Sequence, residues 1–199
     1  MKGLRDLFGG RRGNPDRLAA RLELADLGLI TRRQAEGTPD DCPIALVLAS
    51  DISTPVTDDY VEFDAEHYWG SHDGSVRQWL DLHLPPAERL LAKYRSPFRW
   101  RLVASIEDGP ELVIAIDDEP LMLASRDENE QGWRAGVRLY RRLDELLRQH
   151  SDRRLYLSTV DDRMGWVFCW TEAIDEVVRR ADPEGAPELI TEVPVDPAD

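Results

Sequence analysis

No lysine or arginine occurs between Arg33 and Arg77, yet that span carries ten carboxylates: Glu36, Asp40, Asp41, Asp51, Asp58, Asp59, Glu62, Asp64, Glu66 and Asp73. The 199-residue chain has a net charge of −14, so one window supplies ten of the fourteen excess negative charges. A stretch of one sign repels itself and needs an offset from a basic partner, a metal ion, an arginine face of the same chain, or water. An isoelectric point near 4.7 argues against unaided nucleic-acid binding, which depends on neutralising phosphates with Lys and Arg.

Cysteine is nearly missing. Cys42 and Cys169 stand alone, with no CxxC spacing and no Cys/His metal pattern. That excludes a disulfide framework and predicts two reduced, buried thiols, the usual state in a cytoplasmic protein. Long apolar runs are missing too. The longest, Ile44–Ala49, is far too short to span a membrane. The first fourteen residues lack the apolar stretch of a secretory signal, and Lys2, Arg5, Arg11 and Arg12 make them a flexible basic arm. No phosphate-cradling GxxxxGK[ST] or GxGxxG occurs, and no GxSxG nucleophile turn. No cofactor is expected.

What is present predicts an α+β protein, with a mainly antiparallel sheet of about five or six strands and helices packed on it. Asn14-Pro15 starts a helix with Leu18, Leu22, Ala25 and Leu29 at helical spacing, loosened at Gly28. Thr31 caps a second short helix that stops at Gly37. These form a helical hairpin over 15–37, ahead of an α+β domain over 38–181 and an acidic, proline-rich, disordered tail over 182–199. Pro43–Ser50 has the length of a buried strand. Residues 51–74 read as a long loop with a short strand at Tyr60–Phe63. Ser75 caps a helix that Pro85-Pro86 interrupts, and a second helix then carries Leu90, Leu91 and Tyr94. Strands follow at 99–106, 111–116 and 121–124. A helix with a Trp133, Val137, Tyr140, Leu143, Leu147 stripe comes next, in which Asp144 and Arg148 have the spacing of an ion pair. Strands at 154–160 and 166–170 precede a last helix capped by Thr171. Leu189–Val193 can add an edge strand. From Ser75 onward this order resembles the secretion-chaperone-like fold, in element order alone and with no shared motif. It assigns no family.

Several residue groups have chemical potential. Asp51, His67, His72 and Asp73 have donor types suited to zinc or another transition metal, and so to a metal-dependent hydrolase. Their spacing matches no helical signature, and His83 follows the apolar stripe of its helix as a packed side chain. Asp58, Asp59, Glu62, Asp64 and Glu66 supply enough oxygens for calcium but lack the spacing of a calcium loop. Arg134, Arg138, Arg141 and Arg142 crowd neighbouring turns of one helix. They suit an anionic ligand or, as the favoured alternative, an internal offset for the 51–73 carboxylates. Trp100, Trp133, Trp166 and Trp170 are expected in the core.

Tyr68 and Trp69 differ, because carboxylates surround them. Together with Tyr60, Glu62, Asp64 and Glu66 they make a candidate surface for a basic protein partner. The expected function is therefore a non-catalytic, acidic protein-binding module, of the type of a toxin-neutralising immunity protein or a secretion-chaperone-like accessory protein. The alternative is the hydrolase.

Overall fold

The computed structural model describes residues 15–39, 42, 44–49, 59–65, 75–129, 131–159 and 164–196. Six helices and seven strands alternate along them: α1 Pro15–Asp26, α2 Arg32–Gly37, α3 Ile44–Ala49, β1 Tyr60–Asp64, α4 Val76–Lys93, β2 Trp100–Ala104, β3 Glu111–Ile116, β4 Glu119–Ser125, α5 Gln131–Arg148, β5 Arg153–Thr159, β6 Met164–Thr171, α6 Glu172–Ala181 and β7 Glu188–Leu189. The fold is α+β. Its strands divide into two antiparallel sheets, β1-β6-β5-β7 and β2-β3-β4, instead of the single sheet expected.

The first sheet is covered on both faces, because its alternate residues are apolar in both directions. Val61, Phe63, Leu155, Leu157, Val167 and Cys169 point into one core, shared with α4, α5 and the second sheet. Tyr60, Tyr156, Trp166, Phe168 and Trp170 point into the other, closed by α1, α2, α3 and α6. Phe168 stacks on Trp170 with ring centroids 4.7 Å apart. Cys169 is buried in the first core, whereas Cys42, expected to be buried, is only half-buried against the second, so the sheet separates them and no disulfide joins them. Burial pushes the Cys169 thiol up to about 12.

Local sequence explains much of this. Thr31 and Ser75 each form a capping box with a glutamine three residues on, Gln34 and Gln78. Thr171 caps α6 by accepting from the Ile174 N–H at 3.4 Å. The turn after α1 runs through Gly28 at φ 76°, a conformation glycine adopts without strain. At the start of α5, Gly132 lies so close to β1 that an added Cβ would stand 1.8 Å from the Ala65 carbonyl oxygen.

Other expectations give way to tertiary contacts. The Pro43–Ser50 strand is instead helix α3. Ile44, Ala45, Val47 and Leu48 are buried in the second core, and the first N–H of the helix, that of Ile44, donates to the Asp182 carboxylate at 2.9 Å. A run that is apolar all round suits a buried helix as well as a strand, and a remote carboxylate supplies its missing cap. Pro85 and Pro86 do not interrupt α4. The carbonyls they leave unpaired belong to Asp81 and Leu82, which are exposed and half-buried, so water can replace the lost donors. The stripe of Trp79, Leu80, His83, Leu84, Ala87, Leu90 and Leu91 runs buried past both prolines. Asp144 pairs with Arg154 and not with Arg148.

Residues 182–196 are packed, not loose. Leu189 and Glu188 pair with Tyr156 and Leu157, and Ile190 and Val193 enter the first core. Their acidic neighbours point elsewhere, and average composition hides the apolar pair.

Candidate functional site

The acidic window meets the folded body at β1, an edge strand of the first sheet. Its register with β6, together with the Cys169 N–H donating to the Asp59 carbonyl at 2.8 Å, fixes which backbone groups face outward. Asp59, Val61 and Phe63 bond to β6, whereas Tyr60, Glu62 and Asp64 turn their peptide groups to the free edge. Side chains from α4 and α5 occupy that edge. Trp79 Nε1–H donates to the Asp64 carbonyl at 2.8 Å, and His83 Nε2 lies 3.1 Å from the same oxygen. The Tyr140 phenol sits 2.9 Å from His83 Nδ1 and 3.4 Å from the Glu62 carbonyl.

This geometry sets the tautomer of His83. A carbonyl only accepts, so Nε2 carries the proton and Nδ1 accepts from the phenol. Both ring nitrogens are satisfied in the neutral imidazole. Burial lowers the His83 pKa to about 4, against the opposing hydrogen bond and charge of Asp64. Burial likewise pushes the Tyr140 phenol well above its usual range. As the sequence predicts, His83 is a packed core residue.

Three residues of the candidate partner surface fall within the described chain. Tyr60, Glu62 and Asp64 share one face of β1 by alternation, but their environments differ. Glu62 is exposed. Tyr60 is half-buried, its ring centroid 6.0 Å from that of Phe168. Asp64 is buried. Glu66, Tyr68 and Trp69 lie outside the described residues, as do all four hydrolase candidates, Asp51, His67, His72 and Asp73. Of the calcium candidates, Asp58 and Glu66 also lie outside them. Among the described residues no cluster of three or more His, Cys, Asp or Glu side chains is arranged to hold a metal ion. Nor is any helix there long and apolar enough to cross a membrane.

The arginines of α5 have partners outside the window. Arg138 makes a forked pair with Glu128 at 2.8 and 2.6 Å and donates to the Leu123 carbonyl at 2.9 Å. The Arg138 fork draws the Glu128 pKa down to about 2. Arg134 pairs with Asp196, and Arg142 with Glu119 and Glu145. Arg141 donates to the carbonyls of Ile190 and Val193. These four fasten α5 to β4 and to the C-terminal segment. They do not assemble into an open cluster for an anion, and they do not meet the described carboxylates of the window. Within the window, Glu36 has Arg32 at 3.2 Å, while Asp59 has Lys93 at 2.8 Å and Arg153 at 3.5 Å.

Sequence reasoning missed Asp144. It is fully buried and takes three guanidinium contacts from Arg154 at 2.9–3.1 Å plus the Leu155 N–H at 2.8 Å. The only signal was an acid beside an apolar stripe, which an i,i+4 ion pair accounts for equally well. No known protein family, curated protein or solved structure matches this chain.

Proposed function

We propose that the protein is a non-catalytic binding module that engages a basic protein partner through the acidic segment joined to β1. The partner would be of the kind met by a toxin-neutralising immunity protein or a secretion-chaperone-like accessory protein. One observation carries this reading: the strongest internal source of positive charge, the arginine row of α5, is committed to Glu128, Glu119, Glu145 and Asp196. In this reading Arg32, Lys93 and Arg153 offset Glu36 and Asp59, and the rest of the window's field serves the partner. Such a field speeds encounter with a cationic surface, and carboxylates set where phosphates would bind can block a nuclease. Glu62 offers an exposed carboxylate on a strand whose backbone is held rigid from behind by Trp79 and His83.

The test is affinity capture of the full chain from its native host at low and high salt, followed by binding to the isolated partner. A cationic partner lost at high salt is the expected result. Glu62→Lys and Glu66→Lys should each slow association by roughly two- to tenfold at low salt. Affinity unchanged by both substitutions, or insensitive to salt, would remove the proposal. Asp64 is a poor position for the test, because it is buried and its loss would disturb folding.

A further inference from the structure

Strand edges expose unpaired N–H and C=O groups, and folded proteins usually cover them. Both outer edges of the first sheet and one of the second are covered by named groups. On β1 the Asp64 carbonyl accepts from Trp79 and His83, and the Tyr140 hydroxyl, its proton directed to His83 Nδ1, stands over the Glu62 carbonyl at 3.4 Å. At the opposite edge β7 pairs with Tyr156 and Leu157 of β5, its outward Leu189 carbonyl accepts from the Glu192 N–H at 2.8 Å, and where β7 stops Asp144 meets the Leu155 N–H. On β4 the Leu123 carbonyl meets Arg138, the Ser125 carbonyl meets Gln131 at 2.9 Å, and the Ser125 N–H meets Glu128 at 2.9 Å.

The fourth edge is β2. The Asp117 N–H donates to the Arg99 carbonyl at 2.9 Å, and the register pairs Trp100 with Ile116 and Arg101 with Ala115. Trp100 and Leu102 therefore turn their peptide groups away from β3. Among the described residues no hydrogen bond reaches those groups. The strand is exposed from Arg101 to Ala104, with Leu102 36% and Val103 49% accessible. The outer face beside it continues as an apolar row, Ala104 against Val113 against Met122, with Met122 42% accessible.

Arginines concentrate beside this edge, in a protein of net charge −14. Arg95 and Arg99 before β2 and Arg101 within it are exposed, as are Asp117 and Asp118 in the β3–β4 turn beside them. Arg101 has only a loose contact with Asp118, 3.9 Å away and almost fully exposed. The Arg95 and Arg99 guanidinium groups form no ion pair among the described residues, and the Asp117 carboxylate accepts from the Arg99 backbone N–H at 2.9 Å.

We infer that β2 is a strand-addition site for an extended segment of a partner protein, one with carboxylates and branched apolar residues at alternating positions. The added strand would bond to the outward peptide groups of Trp100 and Leu102. On one face it would set an apolar side chain beside Ala104 and a carboxylate beside Arg101. A second carboxylate two residues further would meet Arg99. A second copy of this chain fits the edge poorly. Pairing Trp100 with its own copy, or with the copy's Leu102, sets arginine against arginine, and each copy brings its full negative charge. This site is separate from the acidic face around β1, and neither depends on the other.

The probe is a random peptide display library, selected on the full-length protein and counter-selected on Leu102→Pro. That substitution removes an outward N–H and leaves the bonds to β3 in place. The expected outcome is enrichment of peptides with Asp or Glu two positions from Val, Ile or Leu. These should bind Leu102→Pro and Arg101→Glu at least about tenfold more weakly. They should also slow amide exchange at Trp100 and Leu102. Arg101→Glu keeps the test decisive should the proline variant fail to fold. No enrichment, enrichment of lysine-rich peptides, or equal binding to Arg101→Glu would overturn the inference. So would a dimer in sedimentation that Arg101→Glu strengthens or Leu102→Pro dissolves, which would assign the edge to a second copy.

Discussion

Strands β1 and β5 of the first sheet lie against buried polar side chains, whereas β2 in the second sheet lies against none among the described residues. Both sheets are antiparallel and both contribute to one core. They differ in what flanks them. The first sheet sits between helices on two faces, so its edges fall where α4 and α5 already pass, and an uncovered carbonyl there would be buried and unpaired. The second sheet meets α5 along β4, and β2 is its strand furthest from that helix. Water satisfies that edge at no cost to the fold. An open edge is thus tolerated only where the surrounding layers stop, and it falls where the exposed arginines gather.

Breaking the covers should cost stability in proportion to the charge each leaves stranded. Asp144→Ala strips the β5 edge and leaves the Arg154 guanidinium and the Leu155 N–H without their carboxylate. A loss of about 3–5 kcal/mol is expected in urea unfolding, with the midpoint falling and the slope unchanged. A loss below about 1 kcal/mol would mean that Thr191 and water replace the acid.

The β1 cover is pH-dependent. The folded pKa of His83, about 4, lies below its ordinary 6.5, so between those values the unfolded chain takes up a proton that the folded chain refuses. The stability owed to neutral His83 is therefore complete above pH 6.5 and is lost as the pH falls toward 4, by about 3 kcal/mol in all. Measured as the difference between the protein and His83→Gln, the loss should appear in that window. Parallel curves would show that burial does not control this imidazole.

The β4 cover is more exposed and worth less. Glu128→Gln should cost about 1–3 kcal/mol by weakening the Arg138 fork. Glu128 titrates at about 2 in the fold against an ordinary 4.5, so its contribution is present above pH 4.5 and fades as the pH drops toward 2. The substitution should flatten acid unfolding in that range alone. At the open edge, Leu102→Thr should change stability by no more than about 0.5 kcal/mol, because the side chain is already partly in water. A larger loss would mean that the edge is packed after all, and the contrast would fail.

Much of the architecture was legible because local rules agreed with it. The capping residues Thr31, Ser75 and Thr171 mark helix starts in the sequence and in the fold. The α5 stripe, the β2–β3 pair and the strand–helix order after Ser75 follow from periodicity and turn residues. The misjudged elements share one cause. The helix of Ile44–Ala49 takes its N-terminal cap from Asp182, the continuity of α4 depends on the side of the helix its prolines face, and residues 182–196 are held by β5 and by Arg141. Each depends on how the element sits in the folded protein, through a remote contact or through exposure to water, which no short window of sequence contains. For the candidate site the same limit applies. The excess of carboxylates was plain, but that Asp64 is buried, Glu62 exposed and the α5 arginines already engaged is decided by neighbours from four other elements.

The sequence by itself determined the α+β class, the places where most helices begin, the free thiols and the concentration of negative charge in one window. These depend on composition, periodicity and spacing within a few residues. Only the tertiary structure decided that there are two sheets, that α3 is a helix, and that the outward groups of β2 meet no hydrogen-bond partner among the described residues. Those outcomes depend on which distant groups can satisfy a backbone donor or acceptor once water has been excluded, and that is settled by packing in three dimensions.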